Sequence, residues 1–250
     1  MRTPTEEQRL AARTPAAGDR LAMRQRWEDL LFLHWRVPVS EIEARLPEGL
    51  HVDTFDGEAY LGVVPFAMRR VRPWWFVSVP LLSNFLELNV RTYVHDENGV
   101  PGVWFFSLDA DQPVAVEVAR RWFHLNYQHA KMSLRQSGDQ IDYACRRKGA
   151  AETARYSYPR ADAPATEAQP GTLDFFLLER YLLFSWNAKK QQLFRGQVAH
   201  RPYRFQILTD VECSAAPARW EGFELAGAPI HAAVAHAVDV EAYSIRPAAQ

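Results

Sequence analysis

Glu87 and Arg91 stand four residues apart in NFLELNVRTYV, Asn84 to Val94, a segment whose Val, Tyr, Thr and Phe suit a pleated strand. Alternation puts Phe85, Glu87, Asn89, Arg91 and Tyr93 on one face and Leu86, Leu88, Val90, Thr92 and Val94 on the other. The next segment, VWFFSLDAD, places Trp104, Phe106 and Leu108 on one face and Val103, Phe105, Ser107 and Asp109 on the other. Both faces of the pair are therefore substantially apolar. A carboxylate and a guanidinium among aromatics must be paired or answered by a ligand. They cannot pair with each other, because four residues along a strand span ~13 Å at ~3.3 Å per residue. Each needs a separate partner, and Arg120, Arg121 or Arg180 could answer Glu87. Such a set is the raw material of a pocket for a small anionic or hydroxylated ligand. The competing reading is a structural ion pair buried in the sheet.

Other chemistry is thinly represented. The chain has no GxGxxG, Walker loop, GxSxG or HExxH, and no cofactor is implied. His124 and His129, like His231 and His236, are five apart, which puts them on different faces of a helix and opposite faces of a strand. No metal site is expected from them. Ser78, Ser107 and Ser185 have no context of an activated nucleophile. The aromatic run Trp74, Trp75, Phe76, framed by Pro73 and Pro80, suits core, a pocket lid or the face of a homo-oligomer.

The elements that must carry these residues are mostly strands. Residues 1–22 form a mobile or weakly helical arm, and a single domain occupies residues 23–247. Trp27–Pro38 is an apolar strand. Ser40 with Glu43 has the capping-box spacing of a short helix ended by Pro47 and Gly49. Asp56-Gly57 predicts a tight hairpin turn, and Asp96–Gly99 a longer one. Gln112–Leu125 is the best helix, with Val114, Val118, Arg121 and Leu125 on one stripe and Trp122 beside it. Two more hairpins follow, around Ser137–Asp139 and Arg147–Ala151. After the polar stretch YPRADAPATEAQPGT comes a short apolar helix in TLDFFLLERYLL, and strand-like runs continue to the C-terminus. With no βαβ alternation and no internal repeat, the pattern is α+β on a large antiparallel sheet, closed or nearly so.

Composition sets outer bounds. The chain has 250 residues, 48% hydrophobic, 24% charged and a formal net charge of -1, so nothing calls for nucleic acid or an anionic membrane surface. The basic run Arg146, Arg147, Lys148 is a solvated hairpin end. No apolar run reaches the ~18 residues of a membrane span, and the first twenty residues lack the apolar stretch of a secretory signal. Cys145 and Cys213 are far apart and form neither a disulfide framework nor a zinc pattern. A cytoplasmic protein is the expectation.

Taken in order, WEDLLFLHWRVP, LPEGLHVDTFDGEAYLGVVPFAM, FLELNVRTYV, GVWFFSLDA, AR…LNYQHA and FLLERYLLF resemble the YqjF-like proteins, an uncharacterised family within the acetoacetate decarboxylase-like superfamily. The likeness runs from about Trp27 to Tyr203. It implies a cone-like closed antiparallel β-barrel around a pocket, with a few short helices outside. The decarboxylases use a Schiff-base lysine in a pattern resembling G-R-E-x-x-G-[FY]-P-K-K, with a glutamate earlier in [FY]-x-E. On this chain Phe85-Leu86-Glu87 matches the glutamate motif and Ala119-Arg120 the G-R pair. The lysine positions fall on Tyr127 and Gln128, and the proline falls on Asn126.

The resemblance thus implies a pocket with Glu87 as hydrogen-bonding or acid–base group and Arg120 as the holder of a carboxylate or carbonyl oxygen. Tyr127 would stand where the lysine stood. Phe85, Asn89, Arg91, Arg180, Tyr181 and His200 (in VAHRPY) complete the candidate ligand-binding set. The ligand class is a small oxo or hydroxy acid, and any reaction a lysine-independent lyase, hydrolase or isomerase step. One alternative is a Schiff-base decarboxylase or aldolase-like enzyme using Lys131, which would share a face with Tyr127 and His129 in a strand starting at Tyr127. The other is a non-enzymatic interaction protein using the Trp74-Trp75-Phe76 loop.

Overall fold

Strands dominate the described residues, 2–75, 77, 80–161 and 165–248 of a computed structural model. The first half runs through α1 (Glu6–Ala11), β1 (Leu21–Glu28), β2 (Leu30–Val37), α2 (Val39–Glu43), β3 (Leu50–Val52), β4 (Ala59–Pro73), α3 (Pro80–Ser83), β5 (Phe85–Asp96) and β6 (Pro101–Ala110). Next come α4 (Pro113–Phe123), β7 (Tyr127–Ser137), β8 (Gln140–Arg147), β9 (Ala154–Pro159), β10 (Thr166–Glu167), α5 (Leu173–Leu178), β11 (Leu182–Asn187) and β12 (Gln192–Ala199). The chain ends with β13 (Arg204–Ile207), β14 (Glu212–Cys213), α6 (Ala216–Trp220), β15 (His231–Ala235), β16 (Val238–Tyr243) and β17 (Arg246–Pro247). No helix among the described residues is long and apolar enough to cross a membrane.

Seven strands close a ring. β1, β4, β5, β6, β11, β12 and β16 pair in that order, and β16 returns to β1. β4 makes this possible by its length: Ala59–Val63 pair with β2, while Ala67–Pro73 pair with β1. The β6–β11 closure is parallel and brings Gly102 against Phe184, where a Cβ would sit 2.7 Å from the ring. Only glycine permits that approach. β2, β15, β13 and β10 extend the sheet as a branch, and β7, β8, β9 and β14 form a second one.

Alternate residues of β2, β4 and β5 feed the two largest cores. Leu31, Leu33, Val63, Leu88 and Val90 pack with Tyr143 of β8, Tyr156 of β9 and Phe223, just after α6. Phe32, Phe66, Phe85, Leu108, Tyr127 and Tyr203 pack in the other cluster. Every residue of β5 is buried, as a strand covered on both faces must be.

Several local expectations meet a different outcome. The sheet is not wholly antiparallel: β6 pairs in parallel with β7 as well as β11, and α4 is the crossover between β6 and β7. Ser40 does not cap α2; Pro38 is the N-cap residue, and Glu43 instead accepts the Val52 N–H at 2.9 Å. Asp56 and Gly57 do turn with positive φ, yet β3 pairs with β5 rather than β4. In α4, capped by Gln112, Val116 is the buried residue while Val114 is 54% exposed. Of the predicted stripe, Val118 and Leu125 are half-buried, while Val114 and Arg121 are exposed.

The short helix α1 lies in the amino-terminal arm. Thr5 and Gln8 form the capping box of α1, and Arg9 binds both oxygens of buried Asp53 at 2.5 and 2.7 Å. Arg13 reaches Glu179 at 3.3 Å, and the Gln197 amide donates to the Ala12 carbonyl at 2.8 Å.

Candidate functional site

β5 brings Phe85, Glu87 and Arg91 to the wall of a cavity of about 190 Å3. Trp27, Phe66, Phe105, Leu108 and Leu178 supply apolar wall, while Gln25, Gln197, Tyr127, Arg180 and Tyr203 add polar groups. Val103, Phe105 and Leu108 all face it, although strict alternation would split them. The cause is a bulge: Val90 pairs with Ser107 but Arg91 with Phe105, so Phe106 is extra and turns away to stack edge-on against Phe223 at 4.8 Å.

One end of the site is a carboxyl–phenol pair. The Tyr127 hydroxyl donates to Glu87 Oε2 at 2.6 Å, with both residues buried. Tyr127 is the first residue of β7, and parallel pairing with Leu108 fixes it across from β5. Burial pushes the Glu87 carboxyl up to about 7; the Tyr127 hydrogen bond opposes that rise and Asp109 adds to it. Burial and the adjoining carboxyl drive the Tyr127 phenol well above its ordinary range, so it stays a hydrogen-bond donor. The β8 residue Tyr143 donates to the Glu87 carbonyl at 2.8 Å and holds the strand from behind.

The other end is guanidinium-rich. Arg91 donates to the Leu177 carbonyl at 3.2 Å. Arg180 donates to the Phe176 carbonyl at 2.7 Å and to Asp53 at 2.8 Å, and lies over the rings of Phe176 and Tyr93. Burial brings Arg180 down to about 10, opposed by Asp53. Burial pushes Asp53 up, but Arg180 and Arg9 outweigh it and hold the carboxyl below its usual range. Buried N–H groups of both cavity arginines, Arg91 Nε and Arg180 Nη2, have no acceptor among the described residues.

Behind Arg91 lies a histidine pair. His34 and His231 meet through their Nδ1 atoms at 2.9 Å, and His34 Nε2 contacts the Tyr93 hydroxyl at 2.7 Å. Tyr93 donates to the Leu177 carbonyl at 2.8 Å. His231 Nε2 is 3.2 Å from Asp174. Burial, with His231 and Arg91 beside it, keeps His34 well below the usual imidazole range and therefore neutral.

The sequence candidates divide. Glu87, Tyr127, Phe85, Arg91 and Arg180 come together at the cavity. Asn89 is buried in β5 with its Oδ1 unpartnered, outside the cavity lining. Tyr181 gives its hydroxyl to Glu179 and stacks on His200 at 4.7 Å. His200 turns Nδ1 to the Arg201 carbonyl, and burial lowers it to about 4. Arg180 and Tyr181 follow α5 rather than belong to it, since the helix ends at Leu178.

Two further sequence candidates lie away from the cavity lining. Arg120 does not line the cavity or answer Glu87; near the end of α4 its Nε donates to the Tyr127 carbonyl at 2.7 Å and its Nη1 to Glu117 at 3.1 Å. It braces the backbone of Tyr127. Lys131 is exposed on β7, in a surface cleft with Arg146 and Lys148, and so stands outside the cavity. All four lysines of the chain, Lys131, Lys148, Lys189 and Lys190, are exposed. Of the aromatic loop, Trp74 and Trp75 are 57% and 68% exposed, while Phe76 and Ser78 lie outside the described residues.

Asp53, Gln25, Gln197, Tyr203 and the His34–His231 pair were not expected. Only Tyr203 carried a signal, as the tyrosine of the VAHRPY motif. The others depend on contacts such as Asp53 with Arg180, 127 residues apart.

The family described as an uncharacterized conserved protein, DUF2071, matches residues 24–240. The chain belongs to this family. It is 41% identical over 185 residues to the uncharacterized protein YqjF of Bacillus subtilis, covering 74% of this chain and 75% of that one. Acetoacetate decarboxylase of Legionella pneumophila superposes with a TM-score of 0.65 at 12% identity, covering 94% of this chain and 88% of its own. The enduracididine biosynthesis enzyme MppR, complexed with pyruvate, has a TM-score of 0.59 at 15% identity, with 93% and 92% covered. The fold of this family member is therefore acetoacetate decarboxylase-like.

Proposed function

We propose that the cavity binds a small oxo or hydroxy acid and that Glu87 and Tyr127 form a lysine-independent acid–base pair acting on it. On this reading the ring of strands serves as a cone-like barrel around the ligand, and the reaction is a lyase, hydrolase or isomerase step. The observation that carries it is the Tyr127–Glu87 contact at 2.6 Å in the cavity wall, with the carboxyl raised to about 7 by burial. A carboxyl in that range takes a proton from a substrate carbon or hydroxyl when ionised and returns it when protonated. Tyr127, held protonated, is available to donate to a substrate oxygen or to steady the ionised Glu87. The arginine end favours an anion, and the structurally similar MppR with pyruvate supports a small acid as ligand class.

Schiff-base chemistry needs a lysine in the cavity, and the exposure of all four lysines counts against it. The Lys131 alternative is set aside on that ground.

The test is a thermal-shift and calorimetric titration with pyruvate, acetoacetate and 3-hydroxybutyrate at pH 6 and pH 8. Wild type is run beside Glu87→Gln and Tyr127→Phe. An acid that binds the native protein raises its unfolding temperature, and affinity falls at least tenfold in both variants. Folded variants that bind as wild type does would remove the pair from the site. A second reading, self-association through exposed Trp74 and Trp75, predicts that the double alanine variant sediments at lower mass than wild type.

A further inference from the structure

The two polar ends of the cavity are too far apart for a short keto acid to touch both. Glu87 and Arg91 share the inner face of one strand, ~13 Å apart by strand rise. Their side chains are tied to different elements. Glu87 is fixed by Tyr127 of β7, whereas Arg91 is tied to the Leu177 carbonyl at the end of α5. Arg180 joins Arg91 there, held by Asp53, which follows β3 and so lies beside the Val94–Asp96 end of β5. Leu108 pairs with Asn89, midway between Glu87 and Arg91 on β5, and Phe66, Phe105 and Leu178 add further apolar wall. In a 2-oxo or 3-oxo acid the carboxylate and the reacting carbonyl are one or two bonds apart.

We propose that the cavity selects an elongated monocarboxylate, with its carboxylate at Arg91 and Arg180 and its oxo or hydroxyl group at Glu87 and Tyr127, separated by a stretch of apolar chain. This rests on the reading of the cavity as an acid site and names the class of acid. Arg91 Nε and Arg180 Nη2 are buried donors without an acceptor among the described residues, on residues only 9% and 8% exposed. Leaving such donors unmatched is costly, and a carboxylate offsets that cost. Among the described residues Arg91 is held by the Leu177 carbonyl and the rings of Phe32 and Tyr93 and has no carboxylate partner, so an incoming anion meets a cation without a counter-charge. The cavity, about 190 Å3, is somewhat larger than the ~150 Å3 apolar cavity that accommodates benzene. That volume suits an acid of about six to eight carbons on the same scale, and excludes a long fatty acyl chain from full burial.

Isothermal titration calorimetry with a series of oxo acids decides the matter: pyruvate, acetoacetate, 4-oxopentanoate, 5-oxohexanoate, 7-oxooctanoate and 9-oxodecanoate. Each is paired with its methyl ester. The expected result is a fall in Kd of about fourfold per methylene, the transfer value of a CH2 group, to an optimum at six to eight carbons. Longer acids then weaken. The ester of the best acid binds at least thirtyfold more weakly, and Arg91→Gln abolishes the preference for acid over ester. The acid–ester comparison uses wild type alone, so it stands even if Arg91→Gln fails to fold. Short acids that bind as tightly as long ones, with binding still lost in Glu87→Gln, would overturn the elongated class while leaving the acid site intact. Binding of esters as tight as of acids would overturn the arginine assignment. If no acid of any length binds, the acid-site reading falls and this inference with it.

Discussion

Asp53 and Glu87 are both buried carboxyl groups beside the same cavity, and they are kept in opposite states. Asp53 is 1% exposed and faces two guanidiniums, Arg9 and Arg180, which hold it ionised against the cost of burial. Glu87 is 3% exposed and faces a neutral phenol, which cannot offset that cost, so its proton is held up to about pH 7. The difference lies in the partner rather than the depth. A carboxylate given cations is fixed and structural; one given a hydroxyl is left free to change charge near neutrality. Within one fold, the first organises Arg180 and the second is available for proton transfer.

The largest effect expected from this contrast is at the paired site. Asp53→Asn leaves Arg180 and Arg9 without their counter-charge, and removing one partner from a buried ion pair costs ~3–5 kcal/mol. Urea unfolding at pH 7 measures it. A loss under about 1 kcal/mol would place Asp53 among surface-like pairs and dissolve the comparison.

Glu87 should behave in the reverse sense. Its folded-state proton is bound more tightly than the ordinary carboxyl proton at 4.5. Between roughly pH 4.5 and 7 the native protein therefore holds a proton that the unfolded chain releases, and stability falls as pH rises through that window. The full loss, reached above pH 7, is roughly 3 kcal/mol for a rise of this size. Glu87→Gln cannot ionise, so relative to wild type it gains about that amount between pH 4.5 and pH 8. Parallel stability–pH curves for the two proteins would show that Glu87 is ionised like any surface acid.

This asymmetry was only half legible in the sequence. Period-two alternation sufficed to place Glu87 and Arg91 on one inner face of β5, because a strand buried on both sides has no freedom to slip register. The same rule failed on β6, where the bulge at Phe106 moves Leu108 to the cavity side. A bulge is decided by how two strands fit, which neither strand records. Tyr127 was reached through family resemblance, and its partnership with Glu87 depends on a parallel β6–β7 pairing that the antiparallel expectation omitted. Arg120 matched the motif in sequence, yet near the end of α4 it points at a backbone carbonyl. Asp53 gave no local signal, since both its cations come from far along the chain.

A smaller effect follows from weakening the phenol. Tyr127→Phe removes the one hydrogen bond that opposes the rise of Glu87. The carboxyl then titrates higher, so the stability loss still begins near pH 4.5 but runs on to a higher pH. The variant is less stable than wild type by ~2 kcal/mol at pH 8, where the bond is made to an ionised group, and by less at pH 5. A variant whose deficit is the same at both pH values would mean that the contact is made equally well to the protonated acid.

The smallest effect belongs to the second cation of Asp53. Arg9 rides on a six-residue helix that reaches the body through Arg9, Arg13 and the Ala12 carbonyl. Arg9→Gln removes one of two guanidiniums while Arg180 remains, so Asp53 stays paired and the expected global loss is ~1 kcal/mol. The local consequence is larger than the global one, because a helix this short has little stability of its own. Amide exchange of residues 6–12 should therefore rise well before that of β5. If exchange rises equally in both, the arm and the ring unfold as one unit, and the ion pair at Asp53 secures the whole molecule rather than the arm that covers it.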